Sequence, residues 1–158
     1  MRFASKLSEA EKAYIGGFLD GNGSLNAQIV RRKGYRFNFQ IRIDVTFFQS
    51  TNKHWFVLWL HKKLQSGRIR KKGDGLSEYT IIGFQNVEVV LEQIKPYLKI
   101  KRKQAILALE IIKIFSKSVD HNSFLKCCQL VDNIAALNDS KKRKITTAVV
   151  RSDPDFFD

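Results

Sequence analysis

From Tyr35 to Phe47 the chain alternates without a break. Tyr35, Phe37, Phe39, Ile41, Ile43, Val45 and Phe47 are apolar, and Arg36, Asn38, Gln40, Arg42, Asp44 and Thr46 between them are polar. A period of two over that length predicts a β-strand, far longer than the usual run of about five or six residues. One face of such a strand lies on a core and the other meets water or a ligand. The preceding segment, roughly Ser24–Arg32, keeps the same phase: Leu25, Ala27 and Ile29 point inward, while Ser24, Asn26, Gln28, Val30 and Arg32 point outward. A tight turn containing Lys33 and Gly34 joins the two strands.

The remaining segments complete an α+β pattern. Ser8 and Glu11 form a capping box that opens a helix through Ala10, Tyr14, Phe18 and Leu19 and ends at the turn-prone stretch Asp20–Gly23. A second helix is predicted over Thr51–Leu64, with Trp55, Leu58 and Trp59 on one face. A second hairpin follows, Gly67–Lys72 and Glu78–Gly83, around Gly73, Asp74 and Gly75. Asn86 is placed to cap a helix that stops at Ile94, before Pro96. Lys101–Phe115 and Ser123–Leu137 have helical apolar spacing, and Ser140 is placed to start a last short helix. The expected architecture is an αββαββα core, with an antiparallel sheet covered by helices on one face and further C-terminal helices beyond it. Residues 1–158 read as a single domain, and only partial order is expected for the tail Ser152–Asp158.

The outward face of the first hairpin is dominated by Arg, Asn, Gln, Ser and Thr with a single Asp, side chains whose donors and acceptors suit base edges in the major groove. Val30 suits a thymine methyl. A solvated face would carry more Lys and Glu. Strand and duplex both rise about 3.4 Å per unit, so outward side chains meet roughly every second base pair. A strand of about 40 Å follows about one turn of a groove that admits a two-stranded ribbon.

Charge points the same way. With 28 Lys and Arg against 15 Asp and Glu the net charge is +13, an excess that favours a polyanion. The basic residues gather at Arg31–Lys33, Arg68–Lys72, Lys99–Lys103 and Lys141–Lys144, each at the edge of an element, as a folded surface touching separated phosphates requires. No apolar run approaches a membrane span, and the N-terminus lacks the core of a secretory signal. Cys127 and Cys128 are adjacent, so a structural disulfide is not expected and an intracellular reducing compartment is. They show no zinc-ligand spacing with His54, His61 or His121. His54 and His61 read as surface or phosphate-facing groups.

Gly16 and Gly17 interrupt the first helix, where each costs about 1 kcal/mol relative to alanine, so the backbone is expected to approach another element closely there. Asp20 sits at the C-terminal end, where the helix dipole disfavours an anion. From the residues alone this fits either local turn chemistry or a nearby cation.

Ile15–Gly23, IGGFLDGNG, resembles the nine-residue motif that names the LAGLIDADG homing endonucleases. Tyr97–Gln104 (YLKIKRKQ) and Ile134–Lys144 (IAALNDSKKRK) extend the similarity over roughly Ala10–Val150. A single motif in a short basic chain resembles the homodimeric branch encoded in group I introns of algal organelles. The resemblance implies that motif helices of two subunits pack through Gly16 and Gly17, and that the hairpins form a saddle over the major groove. It implies double-stranded DNA as partner, with neither a membrane nor a small-molecule substrate. Two such ribbons span about two turns, a pseudo-palindromic site of roughly 20 base pairs. Base contacts are expected from Asn26, Gln28, Val30, Arg32, Gln40, Arg42, Asp44, Thr46, Arg70, Lys72 and Glu78. Tyr35 is expected either to contact a base or to close the turn. Phosphate contacts are expected from Lys103, Asn138, Ser140, Lys141, Lys142, Arg143 and Lys144.

The resemblance further implies cleavage with divalent metal, normally Mg²⁺, held by the motif's second acid and a neighbouring carbonyl. These correspond to Asn22 and Gly21, with Gln49, Lys53 and Lys101 around them positioning water and screening charge. Asp20 matches the first acid, which shapes the helix end. The departure is Asn22: a neutral amide with one oxygen does not replace a carboxylate toward a hard cation. The expectation is therefore a site-specific endonuclease that binds its duplex and cleaves it poorly. An organelle is implied, the chloroplast ahead of the mitochondrion. Two other functions remain open from sequence. One is a maturase-like RNA-binding protein; the other is a non-specific basic DNA-binding protein, whose affinity would fall steeply with salt and show little preference between sequences.

Overall fold

The computed structural model describes residues 6–139 and 143–157. Ser8 accepts from the Glu11 amide at 3.1 Å while the Glu11 carboxylate accepts from the Ser8 amide at 3.0 Å. The expected capping box therefore starts helix α1, Glu9–Asn22. The helix runs on through the segment expected to turn, and β1, Gly23–Arg31, begins at once. Gly23 permits this junction through close approach: a Cβ there would lie 2.5 Å from the Leu19 side chain and 2.8 Å from the Thr46 carbonyl.

Strand β2, Phe39–Ser50, pairs antiparallel with β1 from Gly23↔Phe47 to Arg31↔Phe39. It starts four residues later than the alternation indicates. Asn38 has a positive φ of 60°, and its amide donates to the Tyr35 carbonyl at 2.9 Å, so Tyr35–Asn38 is a turn. Phe37 nevertheless stays buried. The alternation ran past the strand because the turn also sends one apolar side chain inward.

A 3-10 turn, Thr51–Lys53, leads into α2, His54–Leu64, which buries Phe56, Val57, Leu60 and Leu64. The expected apolar face was displaced: Trp55 and Leu58 are exposed. Strands β3, Arg68–Lys71, and β4, Leu76–Ile82, form the second hairpin, and the sheet order is β1-β2-β4-β3. Helix α3, Phe84–Ile94, begins at Gly83 rather than at Asn86, and Pro96 lies in the 3-10 turn that follows. Helices α4, Arg102–Phe115, and α5, His121–Leu137, pack on each other; Asp120 caps α5, which starts two residues before its expected start. Helix α6, Thr147–Ser152, is capped by Thr146; Ser140, its expected start, lies outside the described residues.

The core is where the sequence pattern places it. Leu25, Ile29, Phe39, Ile41, Ile43, Val45 and Phe47 on the inward sheet face are buried together with Ile15, Leu19, Val57, Leu60, Val90, Ile111 and Val131 from the helices. Burial of this kind is the main favourable contribution to folding. Cys127 and Cys128 are free and buried, and burial pushes their thiols up, to about 11 and about 12. The tail is more ordered than expected: Phe156 is fully buried. Among the described residues no helix is long and apolar enough to cross a membrane.

Candidate nucleic-acid interface and helix-end site

The outward sheet face forms cross-strand rows. Ser24 opposes Thr46, which opposes Thr80, which opposes Arg68; Asn26 opposes Asp44; Gln28 opposes Arg42; Val30 opposes Gln40; Glu78 opposes Arg70. Val30, Phe48 opposite Glu78 and Ile82 opposite Asp44 are apolar; the others are polar, and many are bonded to one another. Asn26 Nδ2 donates to Ser24 Oγ at 3.0 Å and to Asp44 Oδ1 at 3.3 Å, while Thr46 Oγ1 donates to the same Asp44 oxygen at 2.9 Å. Thr46 Oγ1 also lies 3.2 Å from Thr80 Oγ1. Gln40 Oε1 accepts from Arg32 Nε at 3.2 Å and Arg42 Nε at 3.4 Å. Glu78 pairs with Arg70 at 3.3 Å and with Lys72 at 3.5 Å. Tyr35 is exposed at the tip, with the Arg32 guanidinium 5.4 Å from its ring centre. The expected base-reading residues thus lie on one face, oriented by their neighbours, but Thr46 is buried there and not exposed as expected.

Asp44 is a half-buried acid of this face. Removal from water raises its carboxyl above the usual value, the hydrogen bonds from Thr46 and Asn26 oppose that rise, and the nearby charge of Glu78 adds to it.

The second feature is the C-terminal end of α1. Asp20 Oδ2 accepts from the amides of Lys99 at 2.7 Å and Ile100 at 3.1 Å, and Oδ1 accepts from the Lys101 amide at 3.0 Å. Lys101 Nζ in turn donates to the Asp20 carbonyl at 2.8 Å, as a cation at a helix C-terminus should. Of the two readings of Asp20 the turn chemistry is observed: its carboxylate ties the helix end to the segment leading into α4. Gly21 and Asn22 are exposed and share a shallow cavity of about 320 Å³ with Gly23, Phe48, Gln49, Ser50 and Leu76. Gln49 is thus brought to Asn22, and Lys101 reaches the same helix end through Asp20. Lys53 is exposed in the 3-10 turn that follows β2.

These groups do not fit a divalent cation as the motif would hold it. Around Asn22 they offer amide and carbonyl oxygens without an available carboxylate, since Asp20 is occupied by three amides. Among the described residues no group of three His, Cys, Asp or Glu converges on one point.

Several expected positions take other roles. Gly16 is buried against its own chain, where an added Cβ would meet the Tyr97 Cβ at 3.0 Å and the Ile94 carbonyl at 3.3 Å. Gly17, with nothing within 4 Å of such a Cβ, faces open space, and so does Gly21 one turn on. Asn138 donates to the Leu25 carbonyl at 2.8 Å and accepts from Gln104 at 3.2 Å. Arg143 is paired with Asp132 at 2.5 Å and donates to the Ile145 carbonyl at 3.0 Å. Lys103 and Lys144 are exposed; Ser140, Lys141 and Lys142 lie outside the described residues. His54 Nδ1 lies 2.7 Å from the buried Ser77 Oγ, so His54 braces the sheet. His61 packs edge-on to Tyr79 at 5.6 Å. The Asp20 clamp and the Ser77–His54 bond went unseen in the sequence, because each joins segments more than twenty residues apart.

A polar two-hairpin sheet face thus stands beside a helix that ends in an acid-clamped turn. No family profile matches the chain. The DNA endonuclease I-CvuI of Chlorella vulgaris is 40% identical over 139 residues, covering 88% of this chain and 86% of that protein. The DNA endonuclease I-CreI of Chlamydomonas reinhardtii is 39% identical over 140 residues, covering 88% and 85%. The chain belongs to the LAGLIDADG homing endonucleases. A crystal structure of I-CvuI in complex with its target in the presence of Ca superposes with a TM-score of 0.85 over 90% of this chain and 91% of that one. The group I intron-encoded endonuclease I-CeuI, 18% identical, gives a TM-score of 0.80 and supports the fold alone.

The end of α1 is the part that departs from the motif here.

Proposed function

We propose that this chain binds a long pseudo-palindromic duplex DNA site as a homodimer, and that as a site-specific endonuclease it is impaired in strand cleavage by Asn22. The observation that carries this reading is the contrast at the end of α1. The first motif acid, Asp20, is fully engaged by three backbone amides, and the second position holds an exposed amide. The family relatives are DNA endonucleases, and the I-CvuI structure holds its target duplex. The outward rows of Asn26, Gln28, Arg32, Gln40 and Arg42, joined by Arg70, Lys72 and Glu78, present the donors and acceptors that read base edges. Val30 is placed for a thymine methyl, and Tyr35 at the tip for a base.

Two copies of α1 are proposed to meet across Gly17, with Gly21 allowing close approach one turn further. Gly16 serves the fold of its own chain. The dimer then carries two ribbons, two half-sites and a two-fold axis at the helix ends. Lys103 and Lys144 are proposed phosphate contacts, as are Ser140, Lys141 and Lys142. Arg143 and Asn138 support the connection through Asp132 and the Leu25 carbonyl. Divalent metal, with Mg²⁺ as the expected ion, would be bound weakly at the Gly21 carbonyl and Asn22, with Gln49, Lys53 and Lys101 around it. An organellar site of action follows from the same reading, the chloroplast before the mitochondrion.

The test begins by selecting bound duplexes from a randomised library. One long near-palindromic consensus supports the dimeric reader; an absence of any preference among duplexes, or a stronger preference for folded intron RNA, overturns it. On that consensus, Asn22→Asp should confer Mg²⁺-dependent double-strand cleavage while leaving the recognised sequence unchanged. Tight binding of the consensus with no gain of cleavage would sink the assignment of position 22 as a metal ligand.

A further inference from the structure

Strand β4 pairs with β2 only from Asp44 onward, up to Ser50. Beyond that point the first hairpin continues without a third strand beside β2, from Ala27↔Ile43 to Arg31↔Phe39 and the turn above it, with its inner face on the core. Isolated two-stranded hairpins are marginal in water, yet this part carries Gln28, Val30, Arg32, Tyr35, Gln40 and Arg42. Helix α5 packs against β1, and the tip beyond it has contacts of its own.

The C-terminal segment occupies that position. Asp153 pairs with Arg31, the last residue of β1. The Arg31 guanidinium also lies 5.1 Å from the centre of the Phe39 ring. Asn38 Nδ2, in the turn, donates to the Asp155 carbonyl at 2.7 Å. Between these contacts Phe156 is fully buried, with ring centres 6.2 Å from Phe37, 6.5 Å from Phe39 and 5.9 Å from Phe124. His121 at the start of α5 bonds the Phe156 carbonyl at 3.1 Å and packs on Phe37, Phe156 and Phe157. Arg36 donates to the Val119 carbonyl. The tail itself is pre-shaped, since the Asp155 amide donates to Asp153 Oδ1 at 2.9 Å and the Phe156 amide to the Asp153 carbonyl at 3.2 Å.

We propose that Asp153–Phe157 is a positioning element that fixes the tip of the reading hairpin, and so sets discrimination at the outer base pairs of each half-site. This rests on the proposed reading of the sheet as a DNA-binding face. Because β1 starts at the end of α1, Ser24, Asn26 and Thr46 stand near the dimer axis, and Val30, Arg32, Tyr35 and Gln40 stand farthest from it. None of the tail residues need touch a base. They act through Arg31, Phe37, Asn38 and Phe39, whose placement decides where the neighbouring readers point. A base contact depends on donor–acceptor geometry, so a loosened tip loses discrimination before it loses affinity for phosphates.

The test uses the full chain and three variants: Phe156→Ala, which empties the aromatic seat; Phe156→Leu, which refills much of it; and Asp153→Asn, which removes the negative charge paired with Arg31 and leaves the core intact. Two quantities are measured: binding to duplexes substituted at each position, and amide hydrogen exchange without DNA. Phe156→Ala should lose roughly tenfold discrimination at each outer position, within the range a good base contact supplies, and keep the central positions. Exchange should quicken at Arg32, Asn38 and their neighbours, and stay slow at Leu25 and Val45. Asp153→Asn should show the same pattern more weakly, and Phe156→Leu should recover most of it. Equal loss at all positions, or tip amides that exchange as slowly in Phe156→Ala as in the parent, would overturn the positioning role. Absence of sequence preference in the parent chain would overturn the DNA-reading function, and the specificity claim with it, even if the exchange pattern held.

Discussion

The sheet face and the end of α1 hold their polar groups in opposite ways. On the sheet, acceptors and donors are shared among neighbours: Asp44 takes bonds from Asn26 and Thr46, and Gln40 from Arg32 and Arg42. Each leaves part of its bonding capacity facing outward. At the helix end Asp20 is spent on three backbone amides, and the exposed position next in line carries no charge. A reading surface needs orientation without saturation. A hydrolytic centre needs an unspent anionic ligand for a metal, and this one lacks it. On the function proposed above, recognition and cleavage are separable in this chain, by a single side chain.

The largest way to break that contrast is to restore the charge. Asn22→Asp should raise Mg²⁺-dependent cleavage of the bound site by on the order of 10³-fold, the scale at which charge stabilisation operates in active sites. The base preference, measured in parallel, should not move. A changed consensus would show that the two regions are coupled after all.

The next largest effect concerns the acid that is already engaged. Asp20→Ala leaves the Lys99, Ile100 and Lys101 amides without their acceptor and should cost about 3 kcal/mol of stability by urea unfolding, since bonds to charged groups are the stronger kind. Asp20→Asn should cost less, because one oxygen remains. A stability unchanged in Asp20→Ala would mean that the carboxylate is not clamping the helix end.

The two regions were also unequally legible in the sequence. The inward and outward sets of β1 and β2 could be read directly, because a buried face imposes a period of two on the residues themselves. The register did not follow from that phase: Arg31 pairs with Phe39, so the connection is longer than the tight turn expected at Lys33 and Gly34. What could not be read was where the alternation stops being a strand, since Asn38 leaves the β region while Phe37 still finds the core. Trp55 and Leu58 misled for the opposite reason: bulky apolar residues sit on the outside of α2, Trp59 lies partly buried at its edge, and Phe56, Val57, Leu60 and Leu64 fill the inside. At the helix end the motif placed Asp20 and Asn22 correctly. The partners of Asp20 lie about eighty residues on, and backbone amides leave no mark in a sequence. The glycine pair was divided by the fold in the same way, Gly16 inward against Tyr97 and Gly17 outward.

On the reading side, the contrast is sharpened by removing one outward group at a time. Arg42→Ala takes away a side chain that is exposed opposite Gln28 and bonded to Gln40. It should cost about 2 kcal/mol of discrimination at the position it reads, as a lost bidentate base contact does, with little effect on folding. In an Asn22→Asp background the same substitution should leave the cleavage rate at saturating protein nearly unchanged. A uniform loss across all sequences, with a shallower salt dependence, would instead mark Arg42 as a phosphate contact.

The smallest effect tests whether the face is tuned for a ligand at the expense of stability. Burial raises the Asp44 carboxyl above its ordinary value of 3.8, with the Glu78 charge adding to the rise and the Thr46 and Asn26 bonds opposing it. A raised value means that the folded chain holds this proton more firmly than the unfolded one. Its favourable contribution is thus complete below the unfolded value and lost as pH rises through the folded one. At neutral pH the ionised carboxylate is a net cost to the fold. Both donors use the same oxygen, Oδ1, at 3.3 and 2.9 Å, so Asp44→Asn can keep both bonds while turning its amide nitrogen to solvent. That variant should be modestly more stable than the parent at pH 7, with the gap closing toward pH 3 in parallel urea titrations. A gap that widens in acid would reverse the sign and show that the charged form of Asp44 is the one the folded sheet prefers. If the gap behaves as expected while base preference at the Asp44 position relaxes, the fold retains an unfavourable charge where the DNA is read.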